Sequence, residues 1–285
     1  MMRVEITAIG TGLALQDGGR VGWRRFGVPP GGALDGYAMR AANRLLGNPP
    51  EVPVLEVLRQ GARLRLLEDG WVGVAGADSC AGLPAWTARH MRAGESIEFS
   101  KQAAGVFCYL AVPGGFQAER WFGSVSVDPR NGLGTPLTKG HILGVAGAMP
   151  EAFGARVAAR QLDRELRRDP LTVREFSLLP GPQFENFSAE ARAALVGNRW
   201  SVSPQSDRTG YRLEGVSLPV PESIPSEPVL PGSFQVPGNG QPIITMADGP
   251  TVGGYPKLAV LREADRDRLA QCAPGTQICF RWADF

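Results

Sequence analysis

Short apolar runs separated by polar or turn-forming residues recur along the chain, and this pattern is typical of β-strands. Each run is bounded by Gly, Pro or Asp, the residues that commonly end strands. The predicted strands are Val4 to Thr7, Arg63 to Leu66, Trp71 to Val74, Val106 to Val112 and Pro242 to Met246. Because many short strands at such spacing form barrels or sandwiches, the pattern predicts a mainly β fold.

Few segments place their apolar residues at helical spacing. Between Leu34 and Leu45 they share one face, Asp35 lies where the positive helix start favours a carboxylate, and Gly47 can end the helix. A second helix is predicted over Ser188 to Val196, with the serine as its N-cap. Residues 151–169 carry many charges on an Ala and Leu background, which indicates either an exposed helical connector or simply a solvated surface.

One nine-residue pattern, R-x-G-aromatic-R-x-x-G-V, occurs twice. It stands at Arg20 to Val28 and again at Arg208 to Val216. Two weaker echoes follow in the same order: Ala77-Asp78 with Ala247-Asp248, and residues 94–99 with residues 275–280. This common order predicts a duplicated domain. We therefore expect two domains, residues 1–165 and 166–285, with strands that can be exchanged between the halves.

The composition supports a folded, turn-rich protein and excludes several classes. In 285 residues, 43% are hydrophobic and 20% are charged, which excludes disorder. The 37 glycines and 24 prolines suit tight turns between strands. A net charge of +2 is too small for a dedicated binder of nucleic acid or of a membrane surface. We expect a cytoplasmic protein, because the sequence shows neither a secretory leader nor a long apolar span.

Cysteine and histidine usage predicts no metal site. The four cysteines, Cys80, Cys108, Cys272 and Cys279, lack C-x-x-C spacing and are interpreted as buried thiols. Only two histidines occur, far apart and without carboxylates at ligand spacing. The chain also lacks a P-loop, a complete dinucleotide fingerprint and a G-x-S-x-G nucleophile elbow, so the sequence shows no self-sufficient catalytic apparatus.

Polar side chains in loops rich in Gly and Pro are the candidate binding groups, since such loops let side chains converge on a ligand. The candidate substrate-binding residues are Gln16, Asp17, Arg20, Arg24, Arg208, Arg212, Gln235 and Tyr255. A structural alternative is that the arginines pair with Asp17 and Asp207 to pin a barrel corner. Lys257 is one of three lysines against 27 arginines, and it can hold a carboxylate or carbonyl or simply point to solvent.

Seven blocks taken together carry a family resemblance. They are Gln16 to Arg20, Gly27 to Asp35, Ala42 to Asn48, Gly181 to Gln183, Ser206 to Gly215, Phe234 to Pro237 and Thr251 to Lys257. Over nearly the whole chain, these blocks resemble the family called allophanate hydrolase subunit 2-like, or biotin-dependent carboxyltransferase-like. The resemblance implies two cyclophilin-like β-barrel domains with few short helices.

The same resemblance implies an activity. It points to the C subunit of a bacterial 5-oxoprolinase, which acts with the A and B subunits to open 5-oxo-L-proline, a small amide, to L-glutamate. The resemblance also implies that the complex hydrolyses ATP, with the ATP-binding site on this or another polypeptide, and that biotin is not required. In this interpretation Lys257 and the repeat arginines meet the negative charge on the carbonyl oxygen, while Asp35 or Asp248 orients water or an amine.

Two other functions stay open at this stage. The chain is either a non-catalytic regulatory partner of the B subunit or of a kinase inhibitor, or the carboxyltransferase component of a urea carboxylase-like system. Three departures from the family pattern bear on the choice: His141 stands where relatives usually carry aspartate, Pro228 stands where glycine is common, and no biotinyl-carrier Met-Lys-Met sequence is present. The last departure weakens carboxyl transfer by this chain alone.

Overall fold

Strands and turns dominate the structure, which confirms the mainly β prediction. The computed structural model describes residues 2–100, 105–148, 159–168 and 175–283. The chain forms two units, one comprising Met1–Arg20 with Gly31–Pro170 and the other Val21–Pro30 with Leu171–Phe285. Residues 21–30 thus pack with the second unit although they precede most of the first. Compact units need not coincide with duplicated domains, so the limits 1–165 and 166–285 stay predictions.

The first unit contains two antiparallel sheets. Its strands are β1 (Arg3–Ile9), β2 (Gly12–Gln16), β3 (Val54–Leu58), β4 (Ala62–Leu66), β5 (Gly70–Gly76), β6 (Cys80–Ala81), β7 (Thr87–Met91), β8 (Ser96–Phe99), β9 (Phe107–Ala111), β10 (Ile142–Gly144) and β11 (Ala159–Gln161). The strand order is β10-β1-β4-β8-β6 in one sheet and β11-β7-β5-β9-β3-β2 in the other. The strands predicted at Val4, Arg63, Trp71 and Val106 are all present.

The core of this unit follows from the alternation of side chains along its strands. In β4, Ala62, Leu64 and Leu66 are buried while the two arginines between them face solvent. Strand β9 has no polar face: all five of its residues are buried. The helix α1 (Gly36–Leu45) packs against β5 and β9, which explains why these strands are apolar on both faces.

Helix α1 begins and ends where the sequence predicts. Asp35 is its N-cap and accepts a hydrogen bond of 3.0 Å from the backbone N–H of Ala38. Just beyond its last turn, Gly47 has φ +69°, the left-handed conformation that glycine adopts without strain. The buried face of the helix carries Ala38, Met39, Ala41, Ala42 and Leu45.

The second unit closes a barrel. Its strands are β12 (Glu175–Pro180), β13 (Trp200–Val202), β14 (Gly210–Glu214), β15 (Glu227–Pro228), β16 (Ser233–Gln235), β17 (Ile243–Thr245), β18 (Val252–Gly253), β19 (Lys257–Leu261) and β20 (Gln277–Trp282). Seven strands close in the order β12-β19-β16-β17-β14-β13-β20, and β15 pairs with β18 outside the barrel. The rings of Phe234 and Phe280 meet edge to face in the barrel core, with centroids 4.9 Å apart.

Two further helices belong to the second unit, α2 (Ala189–Gly197) and α3 (Glu263–Ala270). Ser188 caps α2 and accepts a hydrogen bond from the N–H of Ala191, which confirms the predicted start of that helix. Gly197 is the last helical residue.

The predicted helical connector is wrong over the residues that the structure describes. Residues 159–161 form β11, which pairs with β7, and Arg164–Leu166 form a single 3-10 turn. Edge strand β7 offers unpaired backbone groups, and the connector satisfies them by adding a strand. Residues 151–158 and 169 lie outside the described residues.

The nine-residue repeat does not have the same local structure in its two copies. Its second copy contains β14, whereas its first copy is a loop with a 3-10 turn at Arg24–Phe26. Gly22 in the first copy has φ +87°, which an extended strand does not allow. The weaker echo between residues 94–99 and 275–280 does have the same local structure in both copies, since β8 and β20 begin at matching positions. The duplication itself stays a prediction.

Candidate functional site

Lys257 is a buried cation in the second unit. It is the first residue of β19, and only 1% of its surface is exposed. Its Nζ lies 2.6 Å from Oε1 of Glu227, and no other described acceptor is aligned with its N–H groups. Because a buried ammonium is costly without partners for its protons, the site favours a ligand that brings an oxygen acceptor.

Gln183 links Glu227 to the backbone of Lys257. Its Nε2 donates a hydrogen bond of 2.8 Å to Oε1 of Glu227, and its Oε1 accepts one of 3.0 Å from the N–H of Lys257. The hydrogen bonds from Lys257 and then from Gln183 hold the pKa of the Glu227 carboxyl below its usual range. Glu227 is therefore ionised at neutral pH, and its carboxylate lies 2.6 Å from the lysine Nζ as a counter-charge.

Two other predicted residues lie beside this lysine in the fold. Gln235 is buried and opposes Lys257 in the β16–β19 register, and its Nε2 donates to Oγ1 of Thr245 at 2.9 Å. Tyr255 lies two residues before the lysine and is exposed. The structure thus brings Lys257 and Gln235 onto neighbouring strands of one barrel.

Sequence reasoning did not select Glu227 or Gln183 as site residues. Gln183 stands in one of the seven resemblance blocks, and Glu227 stands beside a family departure at Pro228. The resemblance block and the family departure each pointed to the right loop, but neither indicated that Gln183 or Glu227 takes part in the site. We call Lys257, Glu227, Gln183 and Gln235 the lysine site.

Arg208 and Asp248 form a partly buried ion pair elsewhere in the second unit. Nε and Nη2 of Arg208 lie 2.6 and 3.0 Å from Oδ2 and Oδ1 of Asp248, a bidentate geometry. Asp207 instead accepts hydrogen bonds from the N–H groups of Thr209 and Gly210 in its own turn. The structural alternative of a pinned corner thus fits Arg208, with Asp248 rather than Asp207 as the observed partner. Arg212 points outward from β14 and is exposed.

Asp17 is a hydrogen-bond hub in the first unit. It is 3% exposed, and its carboxylate accepts from the hydroxyls of Ser124 and Ser126 and from the N–H groups of Gly19 and Val125. The carboxylate is therefore used to join the loop after β2 to residues 124–126. This arrangement indicates a structural role beside the predicted binding role.

Two sequence neighbours of Asp17 also join the end of β2 and the loop after it to residues 124–127. Gln16 is buried and donates from Nε2 to the carbonyl oxygen of Val127 at 3.0 Å. Arg20 is buried as well, and its Nη2 donates to the carbonyl oxygen of Ser126. Both side chains fix loop backbone, which is how a buried amide or guanidinium offsets its desolvation.

Asp35 and Arg24 have surroundings of their own. Asp35 caps α1, and its N–H donates to the Tyr109 hydroxyl at 2.8 Å, which in turn donates to Glu56 at 2.8 Å. Arg24 packs with the second unit and is partly buried, which lowers the pKa of its guanidinium. Its Nη1 is shielded from solvent and has no hydrogen-bond partner among the described residues.

The four cysteines form no disulfide within the described part of the chain. Cys80, Cys108 and Cys272 are buried, as predicted, while Cys279 is partly exposed. Burial raises the pKa of the Cys80 thiol to about 12, so it stays protonated and unreactive at neutral pH. Across the described ranges, no three or more His, Cys, Asp or Glu side chains gather as metal ligands would. No helix in those ranges has the length and apolar character needed to cross a membrane.

Comparison with known proteins gives consistent matches. The family model described as "Carboxyltransferase domain, subdomain A and B" matches residues 26–282. The curated C subunit of 5-oxoprolinase from Escherichia coli (strain K12) is 35% identical over 284 residues, which cover 97% of this chain and 90% of the relative. "Urea amidolyase" of Saccharomyces cerevisiae is 27% identical over 97% of this chain but only 16% of its own length.

Solved structures share the fold. TTHA0988 has a TM-score of 0.88 and 32% identity, with 99% of this chain and 56% of that chain covered. This chain therefore spans little more than half of that relative.

Proposed function

Since the chain belongs to the carboxyltransferase domain family, subdomain A and B, we propose that it is the C subunit of an ATP-dependent 5-oxoprolinase complex. The observation that carries this proposal is 35% identity to a curated C subunit over 97% of this chain and 90% of the relative. The fungal urea amidolyases match at lower identity and over a small share of their length, which favours the oxoprolinase assignment.

In the proposed reaction, a phosphoryl group from ATP passes to the lactam oxygen of 5-oxo-L-proline. Water then adds to the activated carbon, the C–N bond breaks and the nitrogen takes up a proton, which leaves γ-glutamyl phosphate. A second water hydrolyses this acyl phosphate to L-glutamate and inorganic phosphate. Negative charge develops on the carbonyl oxygen of the acyl phosphate when the second water adds. A fixed cation shielded from bulk water stabilises such charge strongly, and Lys257 at the lysine site has this character.

The predicted acid and base roles fit the geometry less well. The Asp35 carboxylate accepts the capping hydrogen bond of α1, and the Asp248 carboxylate holds Arg208 through both of its oxygens. Each carboxylate is therefore already engaged in a structural contact and is poorly placed to orient water. We assign the electrostatic part of the reaction to Lys257, with Gln183 and Glu227 as the residues that position it.

We assign ATP hydrolysis to the assembled complex, with no requirement for biotin, and we place the complex in the cytoplasm. The test is reconstitution of this chain with the A and B subunits. We expect ATP-dependent glutamate release only when all three are present, and none from this chain alone. If the other two turn over equally fast without it, the chain is a regulatory partner instead. If a carboxylated biotin carrier transfers its carboxyl group to urea on this chain, the carboxyltransferase alternative replaces the proposal.

A candidate contact for a partner polypeptide lies in residues 21–30, which pack with the second unit. Val21 is 88% exposed and Phe26 is 63% exposed, and Trp23 between them is also exposed. Three large apolar side chains within six residues mark an interaction surface. TTHA0988 carries the same fold within a longer chain, so part of that relative is available to cover such a surface. We propose that the B subunit covers Val21, Trp23 and Phe26.

We expect Phe26→Glu to weaken binding to the B subunit by about tenfold or more, because aromatic anchors dominate interface energies and a buried carboxylate would lack a partner. Binding can be measured by biolayer interferometry with the immobilised partner. The matched control is Leu230→Glu, which adds the same charge to another exposed apolar position of the second unit. Equal affinities for the two variants would contradict the assignment.

A further inference from the structure

A cavity of about 420 Å³ lies in the first unit beside α1, among residues that the proposed reaction does not use. It is lined by Tyr37, Arg40, Ala41, Arg44, Gly47, Asn48, Pro50, Leu162 and Leu166. Its volume falls within the range of small-molecule sites in proteins.

The charge of this cavity is one-sided. Arg40 and Arg44 lie four residues apart on α1 and so on the same face of the helix, separated by about 6 Å along its axis. No acidic side chain belongs to the described lining. Arg40 makes a loose, exposed pair with Glu51, at 3.7 Å, and no described residue forms a hydrogen bond or ion pair with the Arg44 guanidinium. Like charges at this spacing repel, so an anion between them lowers the energy of both.

The wall opposite the helix is fixed in place. The Tyr37 hydroxyl donates to the carbonyl oxygen of Leu166 at 2.6 Å, and Nη1 of Arg160 donates to the carbonyl oxygen of Leu45 at 2.6 Å. The guanidinium carbon of Arg168 lies 3.6 Å from the centre of the Tyr37 ring. These three contacts tie β11 and the segment after it to α1, so the cavity exists before any ligand arrives.

The lining between the charges is apolar. Leu162, Leu166 and Pro50 contribute hydrocarbon surface, and the amide of Asn48 is already used by Asn43, Val112 and Gly114. A ligand must therefore present acidic groups to the arginines and carbon to the remaining wall. Guanidinium groups bind carboxylate and phosphate oxygens in the same bidentate fashion.

We propose that this cavity binds a small organic dianion, with a carboxylate or phosphate group at each end and a short carbon linker between them. The site belongs to the first unit alone and does not depend on the oxoprolinase assignment. It gives the chain a second place to bind a metabolite, built from residues other than those of the lysine site.

The test is isothermal titration of the full chain with two probes, glutarate and methylenebisphosphonate, with sodium acetate as a monoanion at matched ionic strength. We expect saturable binding of at least one probe, tighter than acetate; the two probes distinguish a dicarboxylate site from a phosphate site. Arg44→Gln is expected to weaken that binding about tenfold, because one charge-assisted pair is lost. Arg92→Gln, which removes an exposed arginine of the same unit outside the cavity, is the matched control.

Two results would overturn the proposal. One is that neither probe gives a binding heat, even at the concentrations that two neighbouring arginine side chains need to bind an anion. The other is an equal loss of affinity in Arg44→Gln and Arg92→Gln, which would mean that the probes respond only to surface charge. Unchanged thermal unfolding of both variants without probe shows that the comparison is between folded proteins.

Discussion

The Lys257→Met variant, reconstituted with the A and B subunits, is expected to release glutamate about 100-fold more slowly than the wild-type complex. Methionine matches the length of the lysine stem and keeps its packing, but it removes the charge that meets the developing oxyanion. Loss of one preorganised donor at such a position typically costs a factor of about 10² to 10³ in turnover. The rate of ATP-dependent glutamate release from 5-oxo-L-proline measures the effect directly.

Two companion variants make this result specific. Lys139→Met removes an exposed lysine of the first unit and should leave turnover unchanged. Glu227→Gln keeps the lysine but removes its counter-charge, so a positioning role predicts a change in the pH profile of turnover together with a smaller loss of rate. Wild-type turnover by a folded Lys257→Met complex would remove the lysine from the mechanism, while the family assignment would stand.

The largest expected effect on stability comes from Asp17→Ala. The carboxylate accepts hydrogen bonds from two serine hydroxyls and two backbone N–H groups, and alanine would leave these buried donors without an acceptor. We expect the free energy of unfolding to fall by about 3 to 5 kcal/mol, the usual cost of deleting one partner from a buried polar network. Urea denaturation followed by tryptophan fluorescence gives the value.

Asp207→Ala is the matched control, since Asp207 also precedes an arginine of the repeat but is exposed and accepts only from two N–H groups of its own turn. It should cost about 1 kcal/mol or less. If both variants unfold at the same urea concentration as wild type, Asp17 is not the hub that its contacts indicate. If Asp17→Ala is stable yet inactive in the complex, the predicted binding role becomes the better explanation.

The elements that the sequence predicted correctly are those with local signals. The start of α1 depends on a carboxylate three residues before the N–H that it caps, and the strand at β4 depends on alternation within five residues. The connector prediction failed because its charged Ala-rich composition favours a helix locally, while the backbone of β7, about 70 residues earlier, offers a strand partner that no local pattern reveals.

The residues of the candidate site likewise differ in whether a local sequence signal identifies them. The scarcity of lysine drew attention to Lys257, but its partners lie 30 and 74 residues away in sequence, at Glu227 and Gln183. Contacts at such separations are set by the tertiary fold, which a single sequence does not encode as a readable pattern. Likewise, Arg20 and Arg208 share a motif yet bind different partners, a carbonyl in one case and a carboxylate in the other.

The assignment of residues 21–30 to the second unit has a consequence for biosynthesis. This stretch leaves the ribosome before nearly all of the first unit, yet the strands with which it packs begin only at Glu175. In a nascent chain that has folded only its first unit, Val21 and its neighbours therefore lack the residues of the second unit. The barrel itself closes only after β20 has emerged. The second unit is therefore not built from residues 171–285 alone, because it also includes a segment that was synthesised about 140 residues earlier.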